Sequence, residues 1–248
     1  MRLEVKVAIV TGAGSGFGEG TAAKFVAEVA QVLVADRDAA GGARVAKALG
    51  ANARSLRVDV SIAGDVAQMF DAAHEQFGGV DMLVNNAGVS HLPQPMGEVS
   101  EDDFDRILAI NVKAIYLAAK VVVPRFKAQA RGVIPNIAST AGVSPRPRLS
   151  WYHASKGRVI TATRAMAVEL APSGIRVVAL NPVAGETPLP KTFMGEDTPE
   201  LRAKSLATIP LGRFSTPADM GNAACFLRSD EASMITGVAL EVDGGRCI

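Results

Sequence analysis

Short, continuous apolar runs alternate with longer amphipathic stretches along nearly the whole chain. The runs predict strands at 7–11 (VAIVT), 32–36 (VLVAD), 54–60, 81–88, 132–139, 175–182 and 237–245. The stretches between them predict helices at 17–29, 38–49, 64–77, 101–130 and 151–171. In the 64–77 segment Val66, Met69, Phe70 and Ala73 fall on one helical face. Strands that are apolar throughout, rather than at every second position, are covered on both faces. Regular alternation of strand and helix then argues for a parallel sheet with helices on both sides, an α/β fold. No linker, composition shift or repeat divides the chain, so a single domain over 1–248 is expected. The stretch 183–216 breaks the alternation. It is rich in Pro, Thr and Gly, with a short helical piece near 198–207, and a lid or binding segment is expected at about 183–210.

Composition narrows the function classes. Of the 248 residues, 48% are hydrophobic, ample for a sizeable core. Lys plus Arg number 26 and Asp plus Glu 25, a balance that points neither to nucleic acid nor to an anionic membrane surface. No uninterrupted apolar run reaches the roughly 18 residues of a membrane span. The first residues carry no secretory pattern. Cys225 lies in an apolar helical stretch and Cys247 is the penultimate residue, so a reducing cytoplasm is expected rather than a disulfide.

The first predicted strand runs into TGAGSGFG, 11–18. Phe17 stands where the third glycine of G-x-G-x-x-G would be, and the spacing is instead carried by Gly12, Gly16 and Gly18. Such glycines let backbone approach a pyrophosphate, and a helix N-terminus presents its N–H groups and positive dipole end to it. A tight strand–helix turn accounts for the glycines equally well. Asp36 adds to the nucleotide reading, because a carboxylate ending the second strand accepts from both ribose hydroxyls and repels a 2′-phosphate, which favours NAD over NADP. Arg37 follows it, as a phosphate partner, an adenine cover or a solvent-facing side chain. Asp59 closes the third strand as a turn cap or an adenine contact. The three histidines have no metal-ligand spacing. His74 reads as a solvated helix face, and His91, in the loop after NNAG, as a candidate substrate contact.

Together, TGAGSGFG, NNAG at 85–88, Asn111, Ser139, Tyr152 with Lys156, NP at 181–182 and VDGG near the C-terminus resemble the short-chain dehydrogenase/reductase family over nearly the whole length. The resemblance implies a Rossmann-type, doubly wound, seven-stranded parallel sheet, a nicotinamide cofactor and reversible hydride transfer. It implies cofactor contacts from Gly12, Ser15, Gly16, Phe17 and Gly18, from Asp36, Arg37, Asp59 and Val60, and from Asn86, Ala87 and Gly88. It further implies cofactor contacts from Tyr152, Lys156, Pro182, Val183 and Ala184, and from Thr187 to the carboxamide or pyrophosphate. Tyr152 and Lys156, four residues apart, share a helix face. The lysine, with the oxidised ring's charge, is expected to draw the tyrosine pKa down toward working pH. Tyr152 is then the acid or base, Ser139 holds the substrate oxygen, and Asn111 holds a relay water. His153, adjacent to Tyr152, points elsewhere and reads as structural or pocket-lining.

The resemblance implies an NAD-preferring secondary alcohol dehydrogenase or ketoreductase, with a 3-oxoacyl-thioester reductase as the rival within the family. A non-catalytic NAD sensor or scaffold is the rival of another class. A homotetramer built on the two long helices is also implied. Four positions depart from the family's habits. Val5 and Val29 stand where relatives commonly carry Gly, Pro135 removes a donor from the fifth strand, and Arg158 sits where small residues pack a family dimer.

Overall fold

A computed structural model describes residues 2–187 and 198–248. Val7–Thr11 (β1) is buried at every position, as a central strand with both faces covered must be. Gly16–Ala27 (α1), Gln31–Asp36 (β2), Ala39–Leu49 (α2), Ala53–Arg57 (β3), Ala63–Phe77 (α3) and Met82–Val84 (β4) follow. Then come Glu101–Leu108 (α4), Ala114–Ala128 (α5), Gly132–Ile137 (β5), Ser150–Leu170 (α6) and Ile175–Pro182 (β6). Pro199–Leu206 (α7), Pro217–Arg228 (α8) and Ala239–Val242 (β7) complete the described order. The sheet has seven strands in the order β3-β2-β1-β4-β5-β6-β7, and every pairing is parallel. Residues 188–197, inside the expected lid, lie outside the described residues.

Successive residues of β1 and β2 feed different cores. Ala8, Val10, Val32 and Val34 join Phe25 of α1 and Met220 and Ala224 of α8 on one face. Ile9, Leu33 and Ala35 join Met69 and Phe70 of α3, Val122 and Phe126 of α5, and Leu170 of α6 on the other. Strand order reverses direction between β1 and β4, and a crevice opens there beyond the carboxyl ends of the strands.

Glu101–Ala128 is one continuous helix of 28 residues, long and apolar enough by length and composition to cross a membrane. The sequence reading expected no apolar stretch of that length, and Lys113 and Lys120 do interrupt this one. Within the fold Ile107, Ile115, Ala118, Val122 and Phe126 turn into the protein. The helix is not regular, for Ala109–Lys113 form a π turn that carries Asn111. Extra residues of this kind in a helix often serve a site.

Pro135 interrupts the ladder where expected. On either side the Val133 and Ile137 amides donate to Asp81 and Asn85 carbonyls (3.3 and 2.9 Å), and Pro135 has no N–H between them. The β4–β5 register is correspondingly reduced to Met82↔Val133 and a bridge at Asn85↔Asn136. A buried side-chain relay reinforces the seam: Asn85 Nδ2 donates to Asn136 Oδ1 (2.8 Å), and Asn136 Nδ2 to Thr163 Oγ1 (2.9 Å).

Val29 closes α1 in the left-handed region at φ +69°, and Val5 has φ +61°. The Ala30 amide donates to Phe25 O and the Val29 amide to Val26 O (3.0 and 2.9 Å). These two bonds form a Schellman cap whose left-handed position normally takes glycine. A β-branched side chain there is strained by about 1–2 kcal/mol. Val29→Gly and Val5→Gly are each expected to stabilise the protein, by about 1 kcal/mol, or roughly 2–4 °C in Tm for a chain of this size. A thermal melt checks this. Val5, 87% exposed, gives up no burial in exchange.

Candidate active site

At the C-terminal end of β1 the chain turns through Gly12, at φ +62°, and Gly16, at φ +57°. The N-terminus of α1 has no side-chain cap, which leaves its first-turn N–H groups to solvent or a ligand, and Ser15, Gly16 and Phe17 line the crevice. Gly18 is required by close approach, because a Cβ there would run into the Gly12 carbonyl and the Asn86 amide. Asn86 pins the turn, donating from Nδ2 to the Thr11 and Gly12 carbonyls (2.8 and 3.0 Å). The sequence reading missed Thr11. Its buried hydroxyl accepts from the Asn86 and Ala87 amides (3.0 and 3.1 Å) and donates to Val84 O (3.1 Å).

Asp36 ends β2 with its carboxylate held by the Gly14 and Asp38 amides (2.7 and 2.9 Å). Each oxygen keeps a free lone pair, and Asp36 lines the crevice. Asp59 Oδ1 accepts from the Ser61 hydroxyl and amide (2.6 and 2.9 Å), and the hydroxyl bond leads in keeping its pKa below the usual value. Asp59 therefore caps its own turn while bordering the cleft. The cleft, of about 420 Å³, runs from Asp36, Arg37, Asp59 and Val60 past Gly12, Ser15, Gly16 and Phe17, then past Asn86, Ala87 and Gly88 to Ser139, Tyr152 and Lys156. Pro182, Val183, Ala184 and Thr187 form its opposite wall. Of the sequence-predicted cofactor contacts, Gly18 alone does not line it, since it lies against the turn from behind.

At the inner end four predicted side chains gather, all buried: Asn111, Ser139, Tyr152 and Lys156. Ser139 begins a helical turn and accepts from the Ala141 amide (3.0 Å), and its hydroxyl is hydrogen-bonded to Tyr152. Lys156 Nζ donates to Ile137 O (2.8 Å) and lies 5.9 Å from the Tyr152 ring centroid. A Cβ on Gly88 would sit 3.3 Å from Lys156 Nζ and 3.4 Å from Asn111 Oδ1, so both face that glycine. Asn111 is held by Val89, accepting from its amide (2.8 Å) and donating to its carbonyl (2.9 Å), and it also donates to Ser155 Oγ (3.0 Å). Ser155, unanticipated and fully buried, donates in turn to Tyr152 O (2.7 Å).

The electrostatics differ from the sequence expectation. Burial pushes Tyr152 up to about 12, with the Ser139 bond and the Arg146 charge pulling against it. Burial alone brings Lys156 down to about 8. In this chain's own field desolvation outweighs any help from Lys156, whose cation is spent on a backbone carbonyl.

His153 is buried beside the site, its Nδ1 accepting from the Arg146 amide (3.2 Å). Burial first, then the Arg146 charge, lower its pKa to about 4, so it is a neutral structural group, as read. His74 is exposed on α3. His91 departs from expectation. It is buried, with Nδ1 donating to Leu92 O (2.7 Å), and it does not line the cleft. It lies close enough to His153 to act on that ring's ionisation. Two charged lining residues were also missed, Arg146 from the Pro-rich loop before α6 and Arg246 from the C-terminal turn.

Comparison with known proteins agrees with this geometry. A family model described as enoyl-(acyl carrier protein) reductase matches residues 12–246. The chain is 48% identical to 4-formylbenzenesulfonate dehydrogenase TsaC1/TsaC2 of Comamonas testosteroni, covering 100% of both chains. It is 37% identical to 2-(S)-hydroxypropyl-CoM dehydrogenase 3 of Xanthobacter autotrophicus, covering 98% of this chain and 97% of that one. A crystal structure of 3-ketoacyl-(acyl-carrier-protein) reductase from Brucella melitensis, complexed with NADH, superposes with a TM-score of 0.95 at 51% identity, covering 99% of this chain and 100% of that one. The chain belongs to the short-chain dehydrogenase/reductase family. It is an NAD(P)-dependent oxidoreductase, and NAD fits the cleft: an uncapped helix N-terminus for the pyrophosphate, a fixed carboxylate for the ribose.

Proposed function

We propose that this chain interconverts secondary alcohols and ketones with NAD(H), and that Tyr152 carries the proton. The observation behind this reading is the buried Ser139–Tyr152 hydrogen bond beside Lys156 at the inner end of the cofactor cleft. The nicotinamide, when bound, gives or takes the hydride and in its oxidised form brings a positive charge. Ser139 donates to the substrate oxygen and holds it against the Tyr152 hydroxyl. Tyr152, protonated at neutral pH, donates to the developing alkoxide in reduction, and as phenolate takes the alcohol proton in oxidation. Lys156 binds the cofactor ribose. Asn111, tied to Val89 and Ser155, keeps the polar path from Lys156 ordered. Residues 183–187 with α7 form the substrate side, as parts of a lid over about 183–210.

Asp36 sets cofactor choice. Wild type is expected to use NADH with higher kcat/KM than NADPH. Asp36→Ala should narrow that preference at least tenfold, since a fixed carboxylate no longer meets a dianionic 2′-phosphate. Better use of NADPH by the wild type would make Arg37 the deciding residue.

The Brucella relative's name favours a second reading, reduction of 3-oxoacyl thioesters. Absorbance of the reduced nicotinamide across ketones and acetoacetyl-CoA separates the two by relative kcat/KM. Silence with every compound while NADH binds would leave a non-catalytic NAD-binding protein.

Assembly as a homotetramer, implied by the family resemblance, is supported by exposed apolar side chains on the long helices, Tyr116 on α5 and Trp151 and Val168 on α6. Arg158 is exposed on α6. Light scattering at micromolar concentration should give four subunits, and a fully active monomer would refute it. Two free thiols, Cys225 buried and Cys247 half-buried, suit a cytoplasmic setting.

A further inference from the structure

Arg146 and Arg246 approach the substrate end of the cleft from opposite directions in the sequence. Arg146 sits in the loop between Ser139 and α6. Arg246 is delivered by a reversal at Gly244 and Gly245, at φ +65° and +88°. Asp243 fixes that reversal, its two oxygens accepting from the Gly245 and Cys247 amides (2.9 and 2.8 Å). The carboxylate nearest Arg246 in sequence therefore holds the turn, and among the described residues it forms no ion pair with Arg246. Among the described residues neither guanidinium forms an ion pair, whereas Arg44, Arg106, Arg125 and Arg213 each have an acidic partner. Burial against the cleft walls first, then repulsion from Arg246, lowers the Arg146 pKa, although the residue is exposed to solvent overall. Arg146 is also close enough to Tyr152 to act on its ionisation. Both neighbouring imidazoles, His91 and His153, are buried and supply no negative charge.

Two guanidiniums without acidic partners, both lining the cleft beside a proton-transfer group, make a positive rim that an anion would complete. We propose that the substrate is a small ketone or alcohol bearing an oxyanion, a carboxylate or sulfonate set apart from the reacting carbon, and that Arg146 and Arg246 clamp that group. Forked guanidinium donors match both anions. The clamp orients the carbonyl toward Ser139 and Tyr152 and relieves the repulsion between the two arginines. It is small-molecule recognition, distinct from the long acyl thioester of the second reading.

The inference rests on the ketone–alcohol reading, and a substrate series separates the two. Acetophenone, 4-acetylbenzoate and 4-acetylbenzenesulfonate present the same ketone with and without a distal anion. Wild type should reduce at least one anionic ketone with kcat/KM about 10- to 100-fold above acetophenone, the scale of one or two charge-assisted bonds. The larger of the two values names the anion. The preference should shrink as salt is raised. Arg246→Gln should bring the anionic-to-neutral ratio near one, and Arg246→Lys should retain part of it. NADH binding by each variant shows that it is folded. Reduction of acetophenone with no anionic preference overturns the clamp and leaves the ketone reading intact. No turnover of any ketone overturns the reading beneath it. An acetoacetyl-CoA rate above all three ketones and unmoved by Arg246→Gln overturns the small-molecule assignment.

Discussion

Tyr152→Phe is expected to lose ketone reduction and alcohol oxidation by about 10²–10⁴-fold, the usual contribution of a positioned acid–base group, while binding NADH nearly as the wild type does. The ring is buried and packs at the head of α6, and phenylalanine keeps that packing. The one atom removed is the hydroxyl bonded to Ser139. Turnover under saturating NADH, with cofactor binding measured by fluorescence, checks both halves. A folded Tyr152→Phe protein turning over at the wild-type rate would assign that hydroxyl a packing role only.

Lys156→Met is expected to be nearly inactive, weaker in NADH binding, and more stable than wild type. An ammonium held in a buried position costs free energy, and among the described residues it donates to Ile137 O alone. The native pKa is lowered from 10.5 to about 8. Between those values the unfolded chain binds the proton that the native chain has lost, so stability rises with pH across roughly 8 to 10.5 and the penalty is fully present below 8. Its scale is roughly 3 kcal/mol. Replacing the ammonium with an apolar chain of similar length removes that rise and should add about 1–3 kcal/mol at neutral pH. Denaturant melts of both proteins at pH 7 and pH 10 test this. Equal stability at pH 7 would mean that the cation is better solvated than its burial indicates.

Much of this was legible in the sequence because the sheet's physics is local. Runs such as VAIVT and VLVAD are apolar without alternation, which holds only for strands covered on both sides, and β1, β2 and β6 fall where those runs do. Strand ends were less legible. β4 stops at Val84 and β7 covers only Ala239–Val242, because the polar residues beyond turn into the site or a reversal rather than into a ladder. The π turn at Asn111 left no periodicity signal, since one added residue in a long apolar helix changes the face but not the composition. Val5 and Val29 were visible as unusual residues, and their positive φ explains why glycine suits those positions.

In the site, motif spacing brought Ser139, Tyr152 and Lys156 to one place, but the sign of the tyrosine shift depended on desolvation, which no spacing encodes. The pairing of Arg146 with Arg246 was hidden for a related reason. It arises only when the reversal at Gly244 and Gly245 folds the C-terminus over a loop distant in sequence.

The most direct test of Tyr152 as proton carrier is the pH dependence of NAD-linked alcohol oxidation, followed at the reduced nicotinamide band. The base form must be the phenolate, and burial holds the hydroxyl protonated through neutrality. The log of kcat/KM should therefore climb with pH along a single ionisation, reached below the free protein's value of about 12 once the oxidised ring's positive charge is beside it. The residual rate of Tyr152→Phe should lack that limb. A wild-type profile flat from neutral pH to the alkaline limit of folding, or one shared unchanged by Tyr152→Phe, would contradict the mechanism.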